Sequence, residues 1–123
     1  MAKWILYITR ADNIIFDPDD LRNVQAPGSY SQNIDGKIVI GKGSRIAPNV
    51  GIITTNHNMD SLDEHLPGKD VVIGRKCWIG MNAVQLPGVT LGDGTVVTKS
   101  FPEGHCLIAG VPGRVVRRYD LKG

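Results

Sequence analysis

The chain has 123 residues and a formal net charge of +2. It therefore has room for one small domain, residues 1–123, and too little positive charge to indicate a nucleic-acid partner. Hydrophobic residues make up 41% of it, which excludes an intrinsically disordered chain. Only 6% of the residues are aromatic while glycine occurs 15 times, a composition that favours a fold built from many tight turns.

Residues 1–33 show no regular pattern and are predicted as an N-terminal lead-in. The apolar run at residues 4–8 is too short for a secretory signal or a membrane span, so we interpret it as a buried strand or a subunit contact, and expect no membrane association. The spacing of Cys77 and Cys106 fits neither a zinc site nor a redox motif. A cytoplasmic location is therefore the expectation.

A period of six residues runs through most of the remaining chain. Eight of the nine positions reached in steps of six are aliphatic: Ile34, Ile40, Ile46, Ile52, then Ile73, Ile79, Gln85 (the exception), Leu91 and Val97. The residues four positions after these are mostly small or β-branched. Neither the period of two of a strand nor the period of 3.6 of a helix explains this spacing.

The period predicts a triangular solenoid, in which each hexad supplies one short strand and one corner and three hexads close a coil. The aliphatic side chains would point into the prism, and residues separated by three hexads would stack: Ile34 over Ile52, Ile73 over Leu91 and Ile79 over Val97. A β-sandwich is the alternative, but its longer alternating runs and hairpin turns are missing.

Two segments interrupt or end the period. Residues 58–72 are polar, contain Pro67 and Gly68, and are predicted as a loop extruded from one corner directly after His57. Residues 103–123 contain Val111-Pro112-Gly113 and a basic stretch, and are predicted as a short C-terminal cap that leaves the prism.

From about residue 30 to residue 118 the chain resembles the hexapeptide-repeat acetyltransferases, in particular the sugar, capsule and xenobiotic O-acetyltransferases. The segments that carry this resemblance are Ile-Ala-Pro-Asn-Val at 46–50, Asn56-His57, Trp78-Ile79-Gly80, Leu-Pro-Gly-Val at 86–89, and Ala-Gly-Val-Pro at 109–112. The resemblance implies an all-β fold, a left-handed parallel β-helix, assembled as a homotrimer with active sites between subunits. It also implies an acetyl-CoA-dependent O-acetyltransferase that acts on a hydroxyl of a sugar or similar polyol.

His57 matches the catalytic histidine of that family. Attack of an alcohol on a thioester requires removal of the hydroxyl proton, and imidazole suits this because its pKa lies near neutral pH. By the same resemblance, Gln32, Asn33 and Asn56 would contact the small-molecule acceptor. His65 and His105 lack a comparable context, and three scattered histidines predict no metal site.

The remaining predicted site residues concern the co-substrate. Trp78 is too large for the inside of a small prism, so we expect it to point outward, against a neighbouring subunit or the thioester end of acetyl-CoA. Met81 matches the family residue beside the pantetheine arm. By the same resemblance, a Thr-Lys pair and two arginines lie near the cofactor: Thr98, Lys99, Arg114 and Arg117. Lysine and arginine side chains suit the CoA phosphates.

The chain departs from the family by lacking one hexad before Thr98. Relative to their positions in the family, Thr98 and Lys99 would therefore be rotated about the prism axis by one third of a coil. This would not apply if the chain leaves the prism before Thr98. This departure supports a second hypothesis, a catalytically silent trimeric scaffold or binding protein without a complete CoA site. A third hypothesis is a β-helical carbonic anhydrase, which would need three zinc-binding histidines shared between subunits.

Overall fold

The computed structural model describes residues 7–8, 11–21, 28, 30–33, 35–54, 56–58, 61–66, 68–100 and 104–119. These residues form short strands wound into a three-sided column. Single 3-10 turns occupy Ala11–Asn13 and Pro18–Asp20. No helix among the described residues has the length and apolar character that crossing a membrane requires.

Each side of the column is one sheet, and we call the sides the first, second and third face. The first face consists of β1 (Tyr7–Ile8), β3 (Tyr30–Gln32), β6 (Gly51–Ile53) and β11 (Val84–Gln85). The second consists of β2 (Ile14–Ile15), β4 (Ile38–Ile40), β9 (Val71–Ile73), β12 (Thr90–Leu91), β14 (Cys106–Ala109) and β15 (Arg114–Arg118). The third consists of β5 (Arg45–Ile46), β10 (Trp78–Ile79) and β13 (Val96–Val97). A separate hairpin pairs β7 (Asn56–Asn58) with β8 (Ser61–Leu66).

The chain visits the faces in a fixed order, which makes the column a parallel β-helix. It passes from β4 on the second face to β5 on the third and β6 on the first, and the next coil repeats this order with β9, β10 and β11. The strands that stack on each face are parallel, except that β15 runs antiparallel to β14. The predicted triangular solenoid is therefore confirmed.

The stacking register confirms two of the three predicted pairs. Leu91 lies over Ile73 and Val97 lies over Ile79, as one coil of three hexads requires. The third prediction, Ile34 over Ile52, is wrong, because Ser31 pairs with Ile52; Ile34 itself lies outside the described residues. The chain between β3 and β4 makes a wider corner, held where the Thr54 hydroxyl donates to the carbonyl of Asp35 at 2.6 Å. The first coil is consequently longer than three hexads.

The inside of the prism is the hydrophobic core, as the period predicts. From Ile40 to Val97, every position of the six-residue series is buried. Six residues that follow these positions by four are also buried: Ser44, Val50, Cys77, Ala83, Val89 and Thr95. The two hydroxyls in this second set bond to corner carbonyls: Ser44 donates to Gly74 at 2.7 Å and Thr95 donates to Gly92 at 2.6 Å. These small polar residues fill the prism without unpaired groups.

The N-terminal lead-in contains more regular structure than expected. Within the described part of residues 1–33, three strands already lie on the faces, and two 3-10 turns between them hide the six-residue spacing. The last two residues of the apolar run at 4–8 form β1 on the first face, while its first three lie outside the described residues.

The C-terminal cap also differs from expectation. Within 103–123, Cys106–Ala109 does not leave the prism, since it stacks in parallel on β12. The interval from Leu91 to its partner Ile108 is slightly shorter than three hexads, so the period misses this strand. Only β15 reverses direction.

Gln85 is the one amide in the inward series, and its side chain is 1% exposed. Its Nε2 atom has no hydrogen-bond partner among the described residues. A buried donor without a partner loses its hydration and gains nothing in return. We therefore expect Gln85→Leu to raise the free energy of unfolding by about 1 kcal/mol or more, as measured by denaturant titration.

Thr95→Val provides the matched comparison, because Thr95 is equally buried but its hydroxyl has a partner. We expect that variant to lower the free energy of unfolding by about 1 kcal/mol. Loss of stability in Gln85→Leu would mean that the amide is paired in solution.

Candidate active site

The hairpin that carries His57 is fixed at its base. It leaves the prism after Thr54, at the corner between the first and second faces, which we call the hairpin corner. The buried Thr54 N–H donates to the carbonyl of Gln32 at 2.9 Å, and the Lys69 N–H donates to the carbonyl of Thr54 at 3.0 Å. The Gly68 N–H also donates to a carboxylate oxygen of Asp35 at 2.7 Å. Both ends of the hairpin are thus tied to the prism wall.

Within the hairpin, the backbone register sets His57 opposite His65 and Asn56 opposite Leu66. The segment 58–72 is therefore not wholly a loop, because β8 and the first two residues of β9 lie within it. Asp60, one of its acidic residues, lies outside the described residues. The hairpin gives His57 a place on a paired strand beside the prism.

Trp78 and Met81 lie together on the outside of the prism. Trp78 belongs to β10 on the third face and is 56% exposed, so it points outward as expected. Met81 is 59% exposed and lies at the next corner, between the third and first faces, which we call the cofactor corner. An exposed indole and a thioether so close along the chain form an apolar surface that could hold an acyl-pantetheine arm.

Thr98 and Lys99 lie one coil above Met81 at the same corner. The Gly80 N–H donates to the carbonyl of Val97 at 2.8 Å, which places Thr98 directly above Gly80. Both Thr98 and Lys99 are exposed. The side chain of the following residue, Ser100, accepts a hydrogen bond from the Val84 N–H at 2.9 Å and so ties this corner to the coil below.

The two predicted arginines lie on β15 at the C-terminal end of the prism. Arg114 pairs with Ala109 and Arg117 pairs with Leu107 across the antiparallel ladder, and both arginines are exposed. The turn before them packs on the third face, where the Gly113 N–H donates to the carbonyl of Val96 at 2.6 Å. Arg114 is therefore placed just above the coil of Thr98.

Two of the polar residues predicted to contact the acceptor, Gln32 and Asn33, have different environments. Gln32 is half-buried, and its carbonyl accepts hydrogen bonds from both the N–H and the hydroxyl of Thr54. Asn33 is fully buried, and its carbonyl accepts a hydrogen bond from Asn13. The side chain of Asn33 is therefore not exposed to solvent in this chain.

The prediction from sequence did not anticipate the position of His105. This residue lies at the hairpin corner, two coils above Thr54, with a positive φ of 42°. Its ring lies against Gly88, where any larger side chain would meet Nδ1. Burial, together with the positive charge of Lys69, lowers the pKa of His105 below its usual value of 6.5. Both effects favour the neutral form of this imidazole.

Within one chain, His57 and the cofactor corner are far apart. The strands of the first face are parallel, so all of them run from the cofactor corner to the hairpin corner. Met81 precedes this face and His57 follows it. The two sets of residues therefore lie at opposite edges of one sheet.

The described residues also bear on two other kinds of site, a metal site and a surface cavity. They contain no group of three or more His, Cys, Asp or Glu side chains that could hold a metal ion. The corner between the second and third faces borders an open cavity of about 490 Å³ lined by Lys42, Arg75, Lys76, Asp93 and Gly94. Two of its cations already have carboxylate partners, Arg75 with Asp93 at 3.5 Å and Lys42 with Asp17 at 3.7 Å.

Comparison with known proteins identifies the family of the chain. The chain is 37% identical to galactoside O-acetyltransferase of Escherichia coli over 108 residues, which cover 80% of the chain and 53% of that enzyme. It is 35% identical over 131 residues to a provisionally named acetyltransferase of Saccharomyces cerevisiae, covering 90% of the chain and 66% of that protein. The chain belongs to the hexapeptide-repeat acetyltransferases. No family model matches it.

A solved structure of the same family shares the fold. The hexapeptide-repeat acetyltransferase of Vibrio cholerae in complex with acetyl-CoA aligns with a TM-score of 0.51 and 28% identity, covering 76% of this chain and 55% of that one. The prism is accordingly a left-handed parallel β-helix. This hexapeptide-repeat chain spans between about half and two thirds of the length of the relatives named above.

Proposed function

We propose that the protein transfers an acetyl group from acetyl-CoA to a hydroxyl of a sugar or similar polyol. The observation that carries this proposal is the match of most of the chain to galactoside O-acetyltransferase. The acetyl-CoA complex of the Vibrio cholerae relative supports the choice of co-substrate. The exposed residues at the cofactor corner have the chemistry that such a molecule requires.

In the proposed reaction, His57 acts as the general base. Its imidazole takes the proton of the acceptor hydroxyl while the oxygen attacks the thioester carbonyl carbon. The tetrahedral intermediate then breaks the carbon–sulfur bond, and the imidazolium returns the proton to the departing thiolate. The fixed base of the hairpin limits the freedom of His57, which lowers the entropic cost of reaching this geometry.

Each cofactor residue has a role that its exposure permits. Trp78 and Met81 would cover the apolar arm near the thioester, and Thr98 would bond polar groups along it. Lys99, Arg114 and Arg117 are exposed cations further toward the C-terminal end, where phosphates would lie. Asn56 and Gln32 would contact the acceptor from the hairpin side.

We also propose that the protein works as a homotrimer. His57 and Met81 lie at opposite edges of the first face, so packing the hairpin corner of one chain against the cofactor corner of the next would complete the site. Three such contacts around an axis parallel to the prism would close a ring.

Titration with acetyl-CoA by calorimetry tests the proposal against the silent scaffold that the missing hexad suggests. We expect saturable binding, together with release of free CoA when sugars and other polyols are supplied, monitored with a thiol reagent. Absence of binding at millimolar acetyl-CoA would favour the scaffold. Zinc at one atom per chain in the purified protein would instead favour the carbonic anhydrase hypothesis.

A further inference from the structure

Arg45 and Trp78 lie side by side on the outside of the third face. They are direct partners in the parallel ladder between β5 and β10. The next residue on each strand, Ile46 or Ile79, points inward and is buried. Because side chains alternate along a strand, Arg45 and Trp78 both point away from the prism. Both are exposed, so the surface they share is open in this chain.

The guanidinium of Arg45 differs in its pairing from two cations of the neighbouring corner, Arg75 and Lys42. Arg75 and Lys42 each have a carboxylate within 4 Å, whereas Arg45 forms no ion pair with any residue in the described ranges. A guanidinium presents planar paired donors that fit a carboxylate. An indole beside it can stack on the apolar side of a sugar ring. The pair therefore has the chemistry for an acidic carbohydrate.

The position of Arg45 separates it from the residues proposed for CoA phosphates. Thr98, Lys99 and Arg114 lie above Trp78, toward the C-terminal end, while Arg45 lies one coil below it. The hairpin of His57 leaves the prism from this same lower coil, directly after β6. In the proposed homotrimer, whose axis is parallel to the prism, Arg45 would therefore lie at the height of the neighbouring hairpin, below the residues proposed to contact CoA.

We propose that Arg45 and Trp78 form an acceptor subsite for a sugar that carries a carboxylate, such as a uronic acid. This inference rests on the proposed O-acetyltransferase function and specifies its substrate class. The sugar ring lies against the indole, its carboxylate bonds the guanidinium, and a free hydroxyl of the same sugar is the group that receives the acetyl.

A matched pair of acceptors tests this subsite. 4-Nitrophenyl glucuronide and 4-nitrophenyl glucoside differ only at the sixth carbon of the sugar, which is a carboxylate in the first and a hydroxymethyl group in the second. Transfer to their shared ring hydroxyls is followed by release of CoA and by NMR of the acetylated product. In Arg45→Gln we expect kcat/KM for the glucuronide to fall about ten-fold or more, because the charge-assisted contact is lost. The value for the glucoside and the KM for acetyl-CoA should stay close to those of the unmodified protein.

Arg75→Gln is the matched control, since it removes the same charge from an exposed arginine that already has a partner. An equal loss for the glucuronide in Arg75→Gln would show a general effect of charge and overturn the subsite. So would an equal loss for both acceptors, or a raised KM for acetyl-CoA, in Arg45→Gln.

If the unmodified protein acetylates neither sugar and consumes no acetyl-CoA, the proposed function fails, and the subsite is decided by binding alone. Titration of free glucuronate and glucose, followed by NMR, should then show tighter glucuronate binding that Arg45→Gln removes. Equal binding of the two sugars would overturn the inference.

Discussion

Replacing His57 by alanine should lower kcat for acetyl transfer by about 10²–10⁴-fold, the usual contribution of a general base. The loss arises because no other group at that place would take the hydroxyl proton as the carbon–oxygen bond forms. Calorimetry should show that acetyl-CoA still binds, since the proposed contacts to its arm and phosphates are made by other residues. The measurement is the rate of CoA release with a saturating acceptor.

His65→Ala is the natural control, because His65 is the residue opposite His57 in the same hairpin. We expect most of the activity to remain in that variant, and both variants to unfold at the same temperature as the parent. Full activity in His57→Ala would contradict the assigned mechanism. Loss of activity in His65→Ala alone would assign the role of general base to His65 instead.

Truncating Ile79 to alanine is expected to lower the free energy of unfolding by about 2–5 kcal/mol. Ile79 is fully buried and stands between Ile46 below and Val97 above, so the cavity would interrupt the stack at its centre. Coils of a solenoid are stabilised mainly by their neighbours, so a defect in the middle weakens both interfaces. Denaturant unfolding followed by circular dichroism gives the value.

The same substitution at Ile15 shows whether the cost comes from burial. Ile15 is 51% exposed on the outside of the second face. Ile15→Ala should change the free energy of unfolding by no more than about 0.5 kcal/mol. If the two variants lost equal stability, the inward stack would not be the main source of stability.

The sequence predicts the middle of the fold well because one residue per hexad must face a narrow interior. An aliphatic side chain fits there beside a small residue. The winding of the chain therefore produces a six-residue repeat of aliphatic positions, which is visible in the sequence. The exception, Gln85, is buried in the same register as its neighbours. Packing thus fixes which position faces inward, even where the residue type departs from the pattern.

The ends of the prism could not be predicted in this way. Ser31 takes the place over Ile52 that Ile34 was expected to fill, because a wider corner adds residues between β3 and β4. At the other end, Ile108 stacks on Leu91 after a coil shorter than three hexads. Corner lengths depend on local hydrogen bonds and backbone angles, and these leave no periodic trace in the sequence.

The resemblance predicts the residues of the candidate site and a position between subunits, but not how the elements of one chain hold those residues apart. Motif resemblance points to His57, Trp78 and Met81, yet it does not show that one sheet separates His57 from the other two. Burial of Asn33 and the corner position of His105 also depend on contacts between distant parts of the chain. Such contacts follow from the winding of the coil, which motifs do not encode.

The hairpin has a consequence for how this protein could diversify. Ile40 pairs with Ile73 although the whole hairpin lies between them in the chain. The same parallel register joins Ile73 to Leu91 in the next coil, which has no insertion. The hairpin therefore adds residues at one corner without changing the stacking. The tether of Lys69 to Thr54 restores the path of the backbone before β9 begins. Hairpins of other lengths could therefore be grafted at this corner, and new chemical preferences acquired, while the column that supports them kept its winding.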